Sequence, residues 1–147
     1  MIKLDRAGIE GCVPHAGAMC LLDAVVAWDA ARITCRAPAP DAAHPLAREG
    51  EVHAAIAAEY AAQASAVHGA LIEPQSAPRA GMLAKLSEFD LHGAVIAADG
   101  GPLEIRAELL TRSTQACAYA FEVRNAGQGA IASGRVMVAF VPPGGAS

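Results

Sequence analysis

Residues 52–71 form an almost unbroken run of alanine and other apolar residues, interrupted by His53, Glu59, Gln63 and His68. Alanine is the strongest helix former and nothing breaks the run before Gly69, so the pattern predicts one long helix. The helix is apolar on nearly every side, which predicts that other structure wraps it. On either side the pattern changes to short, partly alternating runs. Residues 24–29 and 32–37 read as two strands across a polar turn, and 81–91, 103–111, 116–124 and 130–141 as four more. Segments 99–102, 112–115 and 125–129 carry the turn chemistry between them. Residues 4–10 are expected to form a short helix ended by Gly11, with loops at 13–17 and 38–45, where proline and glycine accumulate.

A hairpin, one long helix and a meander make an α+β chain, because a curved antiparallel sheet wrapped around the helix is what covers it. The 147 residues suit a single domain, with 142–147 a loose tail. Composition adds a second expectation. With 54% hydrophobic and only 18% charged residues, the chain should hide further surface in an oligomer, at least a dimer, or around an apolar ligand. A net charge of -4 with no arginine or lysine cluster argues against nucleic acid as a partner. Cys12, Cys20, Cys35 and Cys117 form no CxxC pair and lie in apolar stretches, so they read as free thiols in a reducing compartment. The first residues lack a secretory leader's apolar core and no run approaches the ~20 apolar residues of a membrane span. A soluble, cytoplasmic protein without membrane insertion is expected.

Within this apolar setting Glu59 is the anomaly. A charge in a buried helix is costly unless it is paired, kept protonated or used. Desolvation raises a carboxylic acid's pKa, which makes Glu59 a candidate proton donor near neutral pH; the alternative is a structural acid satisfied by Tyr60, Gln63 or a partner subunit. Gln63 lies one turn further on the same face, where it can orient Glu59, bond a substrate amide or make an interface contact. The histidines show no HExxH or similar ligand spacing, so no metal site is expected, and His53, His68 and His92 are weak candidates for chemistry. The glycine pairs do not open a helix after a strand, so nucleotide binding is unsupported.

The segments Val13-Pro14-His15-Ala16-Gly17-Ala18-Met19-Cys20-Leu21-Leu22-Asp23 and Ala58-Glu59-Tyr60-Ala61-Ala62-Gln63-Ala64 stand in that order. With Val67-His68-Gly69, Gly81-Met82-Leu83 and Ala132-Ser133-Gly134-Arg135, they make the chain resemble the hotdog-fold 3-hydroxyacyl-(acyl carrier protein) dehydratases, in the branch similar to the aryl polyene dehydratase. The resemblance covers nearly the whole chain and implies a hotdog fold. It implies removal of water from a 3-hydroxyacyl thioester on an acyl carrier protein to give the trans-2-enoyl product, in fatty acid or polyene-type biosynthesis. It implies no cofactor beyond the phosphopantetheine that arrives with the substrate. It also implies a site shared across a dimer whose sheets join side by side, either a homodimer or a heterodimer with another hotdog subunit.

Better-known members of that family carry the catalytic histidine in a GHFPGxP loop before the helix carboxylate. This chain has Ala43-His44-Pro45-Leu46-Ala47-Arg48 there. The matching motif is the PH near the N-terminus, so His15 is the first choice for the base, with a turn-capping ring as its alternative, and His44 is the second choice. Glu59 is the acid. The unpaired N–H groups expected at a helix start near residues 52–55 would receive the thioester oxygen. Gln63, Met19, Gly81, Met82 and Leu83 are the expected substrate contacts. Arg48, Arg79 and Lys85 offer a local patch for an acidic carrier. Two rivals remain: a hotdog thioesterase using the same carboxylate with water as nucleophile, and a non-catalytic subunit of a heterodimer, which the missing loop would explain.

Overall fold

A computed structural model describes residues 2–12, 20–73 and 81–140. Strand β1 (Leu4–Asp5) leads into helix α1 (Arg6–Cys12). The Asp5 carboxylate accepts the Gly8 N–H at 3.0 Å and so caps α1. The short helix was expected over 4–10. It starts later and runs through Gly11, because glycine permits a helix to stop without forcing it to. Strands β2 (Ala24–Trp28) and β3 (Arg32–Ala37) form the expected hairpin. Its turn is held by the Asp29 carboxylate, which accepts the N–H groups of Ala31 and Arg32.

The helical region departs from its expected start. Val52–His53 is strand β4, Ala54–Ile56 a 3-10 turn, and helix α2 spans Ala57–Ile72. Val52 and His53 pair with Ile96 and Val95 of strand β6 (Val95–Ile96), a two-stranded ribbon that the alanine pattern did not reveal. The His53 ring caps the turn by accepting the Ala55 N–H at 3.0 Å. Local propensity favours helix here, but pairing with a distant segment overrides it.

Strands β5 (Gly81–Leu91), β7 (Leu103–Arg112), β8 (Ala116–Asn125) and β9 (Gly129–Phe140) complete the sheet close to their expected bounds. Among the described residues the antiparallel sheet has seven strands in the order β1-β2-β3-β7-β8-β9-β5. Its register explains the alternation in the sequence. Cys35, Ile105, Val123 and Ala132 lie side by side on the inner face and are buried, while the next row sets Arg36 beside Glu104 and Glu104 beside Arg124. Helix α2 lies against β3, β7, β8 and β9. Ala57, Ala61, Ala64 and Val67 are buried with that inner face in one core, and their small side chains let the helix approach the sheet closely.

Around α2 burial is uneven. Glu59, Ala62, Ala66 and Ala70 are only half-buried, and their spacing traces one stripe along the helix. Glu59 was expected inside a fully wrapped helix; it lies instead on the stripe that this chain leaves partly open. Among the described residues no helix is long and apolar enough to cross a membrane.

Candidate active site

Helix α2 presents Glu59, Tyr60 and Gln63 within one turn. Gln63 is 3% exposed and bonded at both ends of its amide. Its Oε1 accepts the Leu21 N–H at 2.9 Å, and its Nε2 donates to Glu59 Oε1 at 3.2 Å. The Leu21 donor settles which way the amide points, since only an oxygen can receive an N–H; the NH2 end must then face the carboxylate. Thus the segment expected to carry the N-terminal motif is tied to the helix acid through a single side chain. The second Glu59 oxygen has no hydrogen bond among the described residues. His15 and Met19 lie outside the described residues, as do Arg79 and the tail 142–147.

His44 was the second choice for the base. Its loop is built by Asp41, whose carboxylate accepts the Ala43 N–H and whose carbonyl accepts the His44 N–H. The ring is half-buried. Nδ1 accepts the Leu46 N–H at 3.0 Å, and Nε2 lies 3.1 Å from the Tyr60 hydroxyl. Desolvation lowers the His44 pKa below the usual 6.5, with the Asp41 charge opposing it. The loop therefore brings His44 to Tyr60, the neighbour of Glu59, rather than to the Glu59 carboxylate. His44 and Tyr60 border a cavity of about 290 Å³ whose walls include Arg6, Cys20, Leu21 and Pro40. Tyr60 was not among the expected site residues. The signal that could have found it was a phenol inside an alanine run, next to the acid.

The helix start near residues 52–55 was expected to offer free N–H groups, and this is corrected. Ala54 N–H donates to the Ala94 carbonyl at 2.9 Å and Ala55 N–H to His53. The β4–β6 pairing and the histidine cap consume donors that an unaccompanied helix start would leave open.

Gly81, Met82 and Leu83 run along β5, paired with Phe140, Ala139 and Val138; the side chains of Met82 and Leu83 lie outside what the structure describes. Arg48 and Lys85 are exposed. His53 and His92 are also exposed, whereas His68, expected to be weak, is fully buried. Its Nδ1 is 2.6 Å from the Tyr119 hydroxyl and its Nε2 2.7 Å from the Asp29 carbonyl. A sequence spacing measured from Glu59 could not show that β8 and the β2–β3 turn supply both partners. Among the described residues no three histidine, cysteine, aspartate or glutamate side chains gather as a metal cluster would.

A model of the ApeP-like family, described as ApeP dehydratase, matches residues 7–144. No curated protein sequence matches the chain. Among solved structures, the dehydratase heterocomplex ApeI:P from Xenorhabdus doucetiae is similar at 21% identity and TM-score 0.79, covering 92% of this chain and 91% of that one. A thioesterase mutant from Staphylococcus aureus is similar at 16% identity and TM-score 0.58, covering 80% and 92%. A thioesterase from Haemophilus influenzae is similar at 12% identity and TM-score 0.59, covering 82% and 78%. At these identities the structural likenesses establish the shared hotdog fold.

Proposed function

The chain belongs to the ApeP-like dehydratase family, and from that premise we propose that it removes water from a 3-hydroxyacyl thioester borne on an acyl carrier protein. In this reading His15 takes the proton from C2, the C2–H electron pair becomes the C2=C3 bond, and the C3–O bond breaks. Glu59 gives its proton to the departing hydroxyl, which leaves as water. Return of the proton from His15 to Glu59 through solvent restores both groups, so the trans-2-enoyl thioester forms without redox change. The phosphopantetheine of the carrier holds the substrate, and the reaction itself asks for no other cofactor.

The observation that carries this reading is the Leu21–Gln63–Glu59 chain of hydrogen bonds. A carboxylic acid that must protonate one leaving group benefits from a fixed direction, and Gln63 holds one of its oxygens while the other is left for substrate. Leu21, which makes this contact, follows the segment that contains His15 in the sequence. Met19, Gly81, Met82 and Leu83 would contact the acyl chain. Exposed Arg48 and Lys85, with Arg79, would meet an acidic carrier.

The half-buried stripe bearing Glu59 favours a working unit of two hotdog subunits, their sheets joined side by side. A second hotdog chain is the favoured partner, since the Xenorhabdus doucetiae relative is itself described as a heterocomplex. The deciding experiment supplies 3-hydroxyacyl carrier thioesters to the purified chain, alone and with the subunit that copurifies from its host. Water loss that vanishes in both Glu59→Gln and His15→Ala supports the assignment. Full activity in both variants overturns it, and release of free thiol in place of water would point to a thioesterase.

A further inference from the structure

The loop before α2 sets the hydrogen-bonding direction of a phenol. Because Leu46 N–H donates to His44 Nδ1, that nitrogen holds a lone pair, and the neutral ring carries its proton on Nε2. Nε2 therefore donates to the Tyr60 oxygen at 3.1 Å. A phenol that accepts still has its own O–H to give. Among the described residues the Tyr60 hydroxyl has no partner besides His44. Tyr60 is 1% exposed, and a buried donor left without an acceptor is costly, so this hydrogen calls for an acceptor within the cavity it borders.

We propose that Tyr60 is a catalytic hydrogen-bond donor to the thioester carbonyl oxygen of the substrate, and that His44 is a positioning residue that aims it. The inference rests on the dehydratase reading and supplies a donor in place of the backbone N–H groups of Ala54 and Ala55, which are already engaged. As the C2 proton leaves, negative charge develops on the carbonyl oxygen. A fixed donor in a partly desolvated cavity binds that oxygen more tightly in the transition state than in the ground state. The protonation states agree. Burial pushes the Tyr60 phenol well above its ordinary value, so it keeps its hydrogen, and burial lowers His44, so the imidazole stays neutral. His44 then serves the reaction through Tyr60 rather than by taking the C2 proton.

Steady-state kinetics on the assembled dehydratase with a 3-hydroxyacyl thioester tests this. Tyr60→Phe should lower kcat about a hundredfold with KM little changed, as loss of one oxyanion donor does. His44→Ala should lower kcat as well, and His44→Gln, whose amide N–H can stand in for Nε2–H, should recover part of the loss with the shape of the pH profile kept. Adding His44→Ala to Tyr60→Phe should cost nothing more, because an aiming role needs a hydroxyl to aim. Wild-type kcat in Tyr60→Phe, or a His44→Ala penalty of equal size with and without the hydroxyl, overturns the proposal. The His44 variants keep the test open if Tyr60→Phe melts early. A wild-type assembly that releases no water would sink the dehydratase reading and this inference together, whereas a turning-over enzyme indifferent to Tyr60→Phe sinks the inference alone.

Discussion

Gln63 reaches back along its own helix to donate to Glu59 Oε1 at 3.2 Å, and the opposite end of the same amide holds the Leu21 N–H at 2.9 Å. One buried side chain thus connects the helix acid to a segment far away in sequence. Replacing it acts on two properties together. Gln63→Leu should cost about 1–3 kcal/mol of stability, because the buried Leu21 N–H loses its acceptor. It should also lower kcat about tenfold through a misdirected Glu59, if orientation contributes roughly one hydrogen bond's worth of the barrier. Chemical denaturation and steady-state kinetics on one preparation separate the two effects; unchanged stability would show that the amide is not a structural link.

His68 makes the fold sensitive to acid. The Asp29 carbonyl can only accept, so Nε2 carries the proton, and Nδ1 takes the Tyr119 O–H. Desolvation pulls the His68 pKa below 6.5 and nearby Arg112 adds to it, against the opposing effects of the Asp29 carbonyl and carboxylate. The folded pKa lies below the unfolded one, so on acidification the unfolded chain takes up the proton first. Stability should be intact above pH 6.5 and fall as pH drops from there towards the lower folded value. His44, lowered as well, contributes in the same direction. Urea unfolding across about pH 7.5 to 5 should show this decline, and His68→Gln should flatten it in part. An identical slope in the variant would move the acid sensitivity elsewhere.

The turn between β8 and β9 closes tightly on the β6–β7 connection. Gly127 N–H donates to the Gly100 carbonyl at 3.0 Å, and a Cβ on Gly127 would stand 2.8 Å from the Gly100 Cα. Backbone cannot swing aside as a side chain can. Gly127→Ala should therefore destabilise by about 1–3 kcal/mol, read as a lower melting temperature. A melting temperature at or above wild type would mean that the turn relaxes freely.

Ile105 sits mid-sheet, fully buried between Cys35 and Val123 and facing the helix layer. Ile105→Ala should cost about 2–5 kcal/mol. Glu108→Ala on the exposed pair with Arg32 should cost no more than about 1 kcal/mol. Parallel denaturation curves check the contrast, and equal losses would contradict the division between inner and outer sheet faces.

The six longer strands were legible because each records its burial locally, whereas the two-residue strands β1, β4 and β6 were not. In β8, residues 116–125 alternate half-buried and buried without a break, and that rhythm follows from the pleat alone. The long helix was legible for a similar reason, as its alanine content states a propensity that neighbouring residues share. Its first residues were not. Val52 and His53 belong to a strand because Ile96 and Val95 lie beside them, and nothing in residues 52–53 announces those partners.

The same division runs through the site. The sequence by itself determined the kinds of groups available: an acid in an apolar helix, an amide one turn beyond it, and histidines in proline-punctuated segments. Tertiary structure decided which groups meet. It left Glu59 half-exposed on an open stripe, gave Gln63 to Leu21, turned His44 onto Tyr60 and enclosed His68 with Tyr119. The physical reason is range. Periodicity and propensity are set by residues within a turn or a pleat of one another, whereas desolvation and hydrogen-bond partnership depend on which distant parts of the chain the folded sheet brings against the helix.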